Sequence, residues 1–152
     1  MMEERALMQQ ALAEAARAET VGEVPVGAAL LCSDGSLFTA HNAPITTCDA
    51  TAHAEIRAIR AACRAQGNYR LVGAVLAVTL EPCLMCCGAI LHARIARVVI
   101  GADDPKGGAA GSLYQTLADR RLNHRPQLTR GVEAAACGAL LTDFFRRRRR
   151  QR

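Results

Sequence analysis

The chain has 152 residues, 51% of them hydrophobic and 22% charged, which is enough apolar material to bury a core and too much for a disordered segment. Its formal charge of +5 is concentrated at one end: Arg146–Arg150 and Arg152 supply six cations, without which 13 basic residues face 14 acidic ones. No apolar run approaches the roughly 18 to 20 residues of a membrane span, and Glu3 to Gln10 lacks the basic-then-apolar layout of a secretory signal, so no membrane partner and a cytoplasmic location are expected.

The elements follow in chain order. Residues 4 to 18 carry Leu7, Met8, Ala11, Leu12 and Ala15 at helical spacing. Val26 to Cys32 is an apolar strand, turned by Ser33-Asp34-Gly35-Ser36 into a second strand, Leu37 to His41, which makes a hairpin. A polar loop, Asn42 to Ala50, leads to a helix over Ala52 to Gln66, with Ile56, Ile59, Ala62 and Cys63 on one face and Gly67-Asn68 as its stop. Ala74 to Leu80 is an apolar strand, Pro82 opens a short helix reaching His92, and Arg97 to Ala102 is a further strand. After a glycine-bearing connection, Asp103 to Gly111, the pattern predicts a helix from Ser112 to about Arg121 and a short strand over Gln127 to Arg130. A last helix is expected from Val132 to about Arg149, with Ala136, Leu140 and Phe144 on one side. Buried strands between helices indicate one α/β domain over residues 1–152, with a basic tail at 146–152. Helical crossovers would allow the last strands to run parallel.

Seven cysteines without an export signal argue for reduced thiols or a metal site rather than a disulfide framework. Two segments carry that chemistry: Thr51-Ala52-His53-Ala54-Glu55 and Glu81-Pro82-Cys83-Leu84-Met85-Cys86. Cys83 and Cys86 are three apart at a helix start, so their sulfurs share a face, and the free N–H groups of that turn favour thiolates. His53 supplies a third ligand from another helix, whereas Glu55 lies about 200° around that helix and is free to lean over a vacant metal position. Three ligands and a vacancy is the catalytic zinc pattern, and thiolate with imidazole suits zinc better than magnesium or calcium. A lone Cys-x-x-Cys is also found in redox pairs and in closed four-ligand sites; only Cys48 is placed to close this one. Cys87 falls off the ligand face and reads as a small buried residue.

His-x-Glu followed by Pro-Cys-x-x-Cys is the zinc deaminase signature. Beyond it, Glu23-Val24-Pro25-Val26-Gly27, Asn42, Asn68-Tyr69-Arg70, Val78 to Cys83, Gly101 to Asp104, Gly108 to Leu113 and Asp143-Phe144-Phe145 resemble the bacterial tRNA-specific adenosine deaminases over most of the chain. The resemblance implies a cytidine deaminase-like fold, a three-layer α-β-α sandwich on a five-stranded mixed sheet. It implies one zinc per subunit held by His53, Cys83 and Cys86, and hydrolysis of the wobble adenosine at C6 with Glu55 as proton shuttle. It also implies that Asn42 binds the nucleoside and that Asp104 and Lys106 lie near the flipped-out base. Phe145 and the arginines after it would lie along the anticodon stem-loop of a tRNA (an arginine tRNA), and the enzyme would be a homodimer. The chain departs from the pattern at Ala43, Ala50 and Cys87, none of them a ligand. Deaminases of free cytidine, deoxycytidylate or guanine share the metal motif, so the substrate rests on the other segments. A non-catalytic zinc-stabilised RNA-binding module would instead need an altered Glu55 or a fourth ligand.

Overall fold

The computed structural model describes residues 2–151. Helix α1 spans Glu4–Thr20 and leads into the hairpin β1 (Gly27–Leu31) and β2 (Leu37–His41). A one-turn helix, α2 (Pro44–Thr47), precedes α3 (Ala54–Gln66), β3 (Val75–Leu80), α4 (Leu84–His92) and β4 (Arg97–Ala102). A 3-10 turn at Thr116–Ala118, β5 (Gln127–Thr129) and α5 (Ala134–Arg150) complete the order. The sheet runs β2-β1-β3-β4-β5, antiparallel across β2, β1 and β3 and parallel across β3, β4 and β5. This is the five-stranded mixed sheet expected from the sequence.

Alternation along the strands divides the core into two layers, because successive side chains leave opposite faces. Ala28, Leu30, Leu76, Val78, Val98 and Ile100 pack with residues of α3 and α4, including Ala58, Ile59, Cys87 and Ile90. Ala29, Leu31, Ala77 and Val99 pack with Leu7, Met8 and Ala11 of α1 and Cys137 of α5. Two glycines allow the second layer to close. A β-carbon at Gly27 would stand 1.9 Å from the Ala11 carbonyl oxygen, so α1 rests on bare β1 backbone. At Gly101 it would meet Cys137 Sγ at 2.5 Å, and α5 lies equally close to β4.

Three expectations need correction. The predicted helix from Ser112 to Arg121 is absent: this stretch holds an isolated bridge, Ala110 to Gln115, and the 3-10 turn. Its amides bond backwards instead, Leu113 N–H to the Gly108 carbonyl and Thr116 N–H to the Ala109 carbonyl, so the crossover to β5 is not helical. The polar loop after Asn42 contains α2, started by Pro44 at its first turn. On α5 the buried positions are Cys137 and Phe144, while Ala136 faces solvent, since the Gly101 gap admits the cysteine. The last helix, expected to reach about Arg149, runs through Arg146–Arg150. There Arg148 donates to the Gly22 carbonyl at 3.1 Å and lies over the Phe144 ring, and Arg147 pairs with Glu19 at the end of α1.

Candidate active site and metal centre

The parallel strands β3 and β4 both end at the edge where open α/β sheets place their ligands, beyond the carboxyl ends of the strands. Cys83 is the N-cap of α4, two residues past Glu81 at the end of β3, and Cys86 lies in the first turn of that helix. His53 is the N-cap of α3, with extended backbone (φ −72°, ψ 154°), and Glu55 follows in its first turn. The two helix starts face each other. His53 Nδ1 lies 3.6 Å from Cys83 Sγ and 3.4 Å from Cys86 Sγ, and the ligand atoms of these three residues all fall within 4.8 Å of one another.

The spacing can be tested against an ion. With Zn–S near 2.3 Å and Zn–N near 2.0–2.1 Å in a tetrahedron, sulfur and nitrogen should stand roughly 3.6 Å apart. The observed edges agree, and the donor set, two sulfurs and one imidazole, is one that zinc prefers. Cys48 does not close the site: it is exposed and its thiol donates to the Ile45 carbonyl at 3.7 Å. Among the described residues the set therefore has three members and one free tetrahedral direction. Cys87 is fully buried, with its thiol turned to the Pro82 carbonyl.

Hydrogen bonds among the three ligands shift their proton affinities. The hydrogen bond with Cys86 and then that with His53 bring the Cys83 thiol down to about 4, while its bond with Cys83, together with burial, pushes Cys86 up. His53 is raised, first by its bond to Cys83. Glu55 is 3% exposed, and this burial lifts its carboxyl to about 7. A carboxyl tuned to neutrality beside a metal site is suited to both taking up and giving up a proton.

Glu55 lines a cavity of about 180 Å³ together with His53, Cys83, Asn42, Val24, Val26, Leu80, Glu81 and Asp104. The expected nucleoside ligand Asn42 is thus on its wall. A second, wider depression of about 570 Å³ shares Val24, Leu80 and Asp104 with the first and adds Lys106, Phe145, Arg148 and Arg149. Every site residue expected from the sequence lines one of the two, except Cys86, which is buried behind the first.

The sequence reading passed over three side chains that shape the walls. Glu23 is 1% exposed and accepts the Ile45 and Thr46 N–H groups at 3.3 and 2.6 Å, tying α2 beside Asn42. Glu81 and Arg130 make the corresponding contacts to the other wall. The signal available in the sequence for both carboxylates was a lone glutamate near a proline at the edge of an apolar strand; once buried, such a group must find donors.

Residues 1–102 match the zinc-binding region of cytidine and deoxycytidylate deaminases. The tRNA-specific adenosine deaminase of Bacillus subtilis is 44% identical over 152 residues, covering 100% of this chain and 94% of that protein. The chain belongs to this zinc-dependent deaminase family. A solved structure from work on A-to-I editing by tRNA:A34 deaminases at the wobble position of transfer RNA superposes on the deaminase with a TM-score of 0.85. It has 44% identity and covers 89% of this chain and 98% of that one. The guanine deaminase of Nitrosomonas europaea superposes with a TM-score of 0.81 at 21% identity, covering 95% of this chain and 85% of its own, and so shares the fold. The deaminase is accordingly an enzyme with zinc as its cofactor.

Proposed function

We propose that this deaminase converts the wobble adenosine of a tRNA to inosine, with His53, Cys83 and Cys86 as zinc ligands and Glu55 as the catalytic acid and base. One observation carries the reading. The small cavity that holds Glu55 shares a wall, Val24, Leu80 and Asp104, with a groove lined by Lys106, Phe145, Arg148 and Arg149. A flipped base fits the cavity, and Lys106, Arg148 and Arg149 along the groove suit the phosphates on either side of it. Full-length relationship to tRNA-specific adenosine deaminases supports the same substrate.

Bound zinc supplies a Lewis acid that makes water a competent nucleophile near neutral pH. The protein's own residues do the rest. Asn42, on the cavity wall, hydrogen-bonds the nucleoside and fixes the adenine with C6 toward Glu55. As water adds to C6, Glu55 takes its proton and passes it to ring N1. Glu55 then carries the second proton to the amino group, the C6–N bond breaks, and ammonia leaves inosine behind. A single buried carboxyl on the cavity wall serves both directions of this transfer.

A homodimer extends this reading. Leu84 and Met85 at the start of α4, with Leu113 and Tyr114 nearby in sequence to the 3-10 turn, are exposed apolar side chains that a second copy would cover. No described helix is long and apolar enough to cross a membrane, and a tRNA substrate favours the cytoplasm. One continuous sheet supports a single deaminase domain. The deciding experiment is incubation of the purified protein with tRNA, followed by sequencing for inosine at the wobble position. Deamination of free cytidine or guanine with tRNA left untouched would overturn the substrate.

A further inference from the structure

The segment from Asp103 to Ser112 brings Asp104 and Lys106 to the groove, yet it has no helix or ladder to hold its amides. Such groups need partners when they are buried. Asp104 holds those of Lys106, Gly107 and Gly108, and a single carboxylate holds those of Asp104, Ala110 and Ser112. The Glu81 side chain has no exposed surface. Its Oε1 accepts the Asp104 N–H at 3.2 Å, the Ser112 hydroxyl at 2.5 Å and the Arg130 guanidinium at 3.2 Å. Its Oε2 accepts the Ala110 and Ser112 N–H groups, both at 3.0 Å. The fit is tight, since a β-carbon at Gly108 would lie 2.3 Å from the carboxylate.

Arg130 comes from just beyond β5 and closes the arrangement from outside. Its guanidinium bridges Glu81 to Asp103 Oδ1 at 2.6 Å and donates to the Ala110 carbonyl. Gly111, at φ +134°, leaves room for it: a β-carbon there would stand 2.9 Å from Arg130 Nη1. Every partner of the pair belongs to the 103–112 segment, and neither residue bonds His53, Glu55, Cys83 or Cys86.

We propose that Glu81 and Arg130 are positioning residues: a buried carboxylate and a half-buried guanidinium clamp the Asp103–Ser112 segment so that Asp104 and Lys106 meet the nucleotide at the mouth of the base cavity. The clamp stands on geometry alone; its kinetic consequence rests on the tRNA reading above. Because Arg130 acts on substrate placement and bonds neither the zinc ligands nor Glu55, its loss raises KM for tRNA and spares kcat.

The test uses the full-length zinc enzyme. Arg130→Ala is expected to raise KM about tenfold, as loss of a charge-assisted hydrogen bond does. Its kcat stays within about twofold and its zinc stays stoichiometric, while Arg130→Lys recovers part of the loss. In a background already carrying Asp104→Ala and Lys106→Ala, Arg130→Ala should add nothing further, because the groups it positions are gone. Hydrogen exchange supplies a readout independent of activity: in Arg130→Ala and Glu81→Gln the amides of Asp104, Ala110 and Ser112 exchange faster, while those of α3 and α4 do not. Full additivity would make Arg130 a direct phosphate contact and overturn the clamp. Unchanged exchange in the segment, or loss of zinc from Arg130→Ala, would overturn it too. Wild-type enzyme that leaves tRNA untouched instead refutes the tRNA reading, and the exchange measurement then decides the clamp by itself.

Discussion

The metal corner and the groove beside it are built by different means. In the corner, three ligands and Glu55 hang from the first turns of two helices, within a few residues of their caps, and are half to fully buried. In the groove, Asp104 and Lys106 come from an irregular segment and Phe145, Arg148 and Arg149 from the exposed end of α5. The corner owes its geometry to local backbone, the groove to contacts between parts of the chain far apart in sequence. Chemistry and recognition are thereby separable, and substitutions should divide them.

The largest effect belongs to the corner. Cys83→Ala, or chelation of the wild-type enzyme, should remove zinc and abolish turnover, as metal analysis beside the inosine assay would show. Glu55→Gln should keep stoichiometric zinc and lose turnover by about 10²–10⁴-fold. Near-normal activity in that variant would dissolve the division, because the catalytic proton carrier would then lie elsewhere.

Groove substitutions should be milder and act on affinity. Arg149→Ala is expected to raise KM for tRNA and to lessen the dependence of log KM on log salt by about 0.7, the share of one phosphate contact on single-stranded nucleic acid. Arg148 will show a mixed response, since it also bonds the Gly22 carbonyl and stacks on Phe144. A fall in kcat at unchanged KM for Arg149→Ala would mean that groove and corner are coupled.

The smallest effect concerns the metal-free protein. Burial raises Glu55 from an ordinary 4.5 to about 7, so the fold favours its neutral form. That contribution is full below pH 4.5 and disappears as pH rises through about 7. The melting temperature of the chelated wild type should therefore fall between pH 5 and pH 8 more steeply than that of Glu55→Gln. Parallel profiles would show that Glu55 is not the buried titrating group.

The legibility of the two regions follows the same division. Helix periodicity placed α1 and α3, Pro82 the start of α4, and apolar runs with a turn signal β1 to β4, because each rests on one stretch of chain. The prediction failed between Ser112 and Arg121, where helical spacing of apolar residues suggested a helix. There Glu81 and Arg130 draw the preceding backbone into turns, and only Leu117 of the 3-10 turn is buried. Ala136 was placed inward on α5 for a similar reason: the position that sinks is decided by the gap over Gly101.

By itself the sequence singled out the proposed reaction centre, since His53 with Glu55 and Cys83 with Cys86 each lie at a helix start and match the zinc deaminase signature. It also named Asn42, Asp104, Lys106 and Phe145, though by resemblance rather than by spacing. Only the tertiary structure decided that these residues line two depressions sharing a wall, and that the arginine-bearing end of α5 lies against α1. The physical reason is range. A metal site assembled on two helix caps needs one long-range pairing, supplied by the sheet, whereas the groove depends on several, and none of those is encoded within a single local segment.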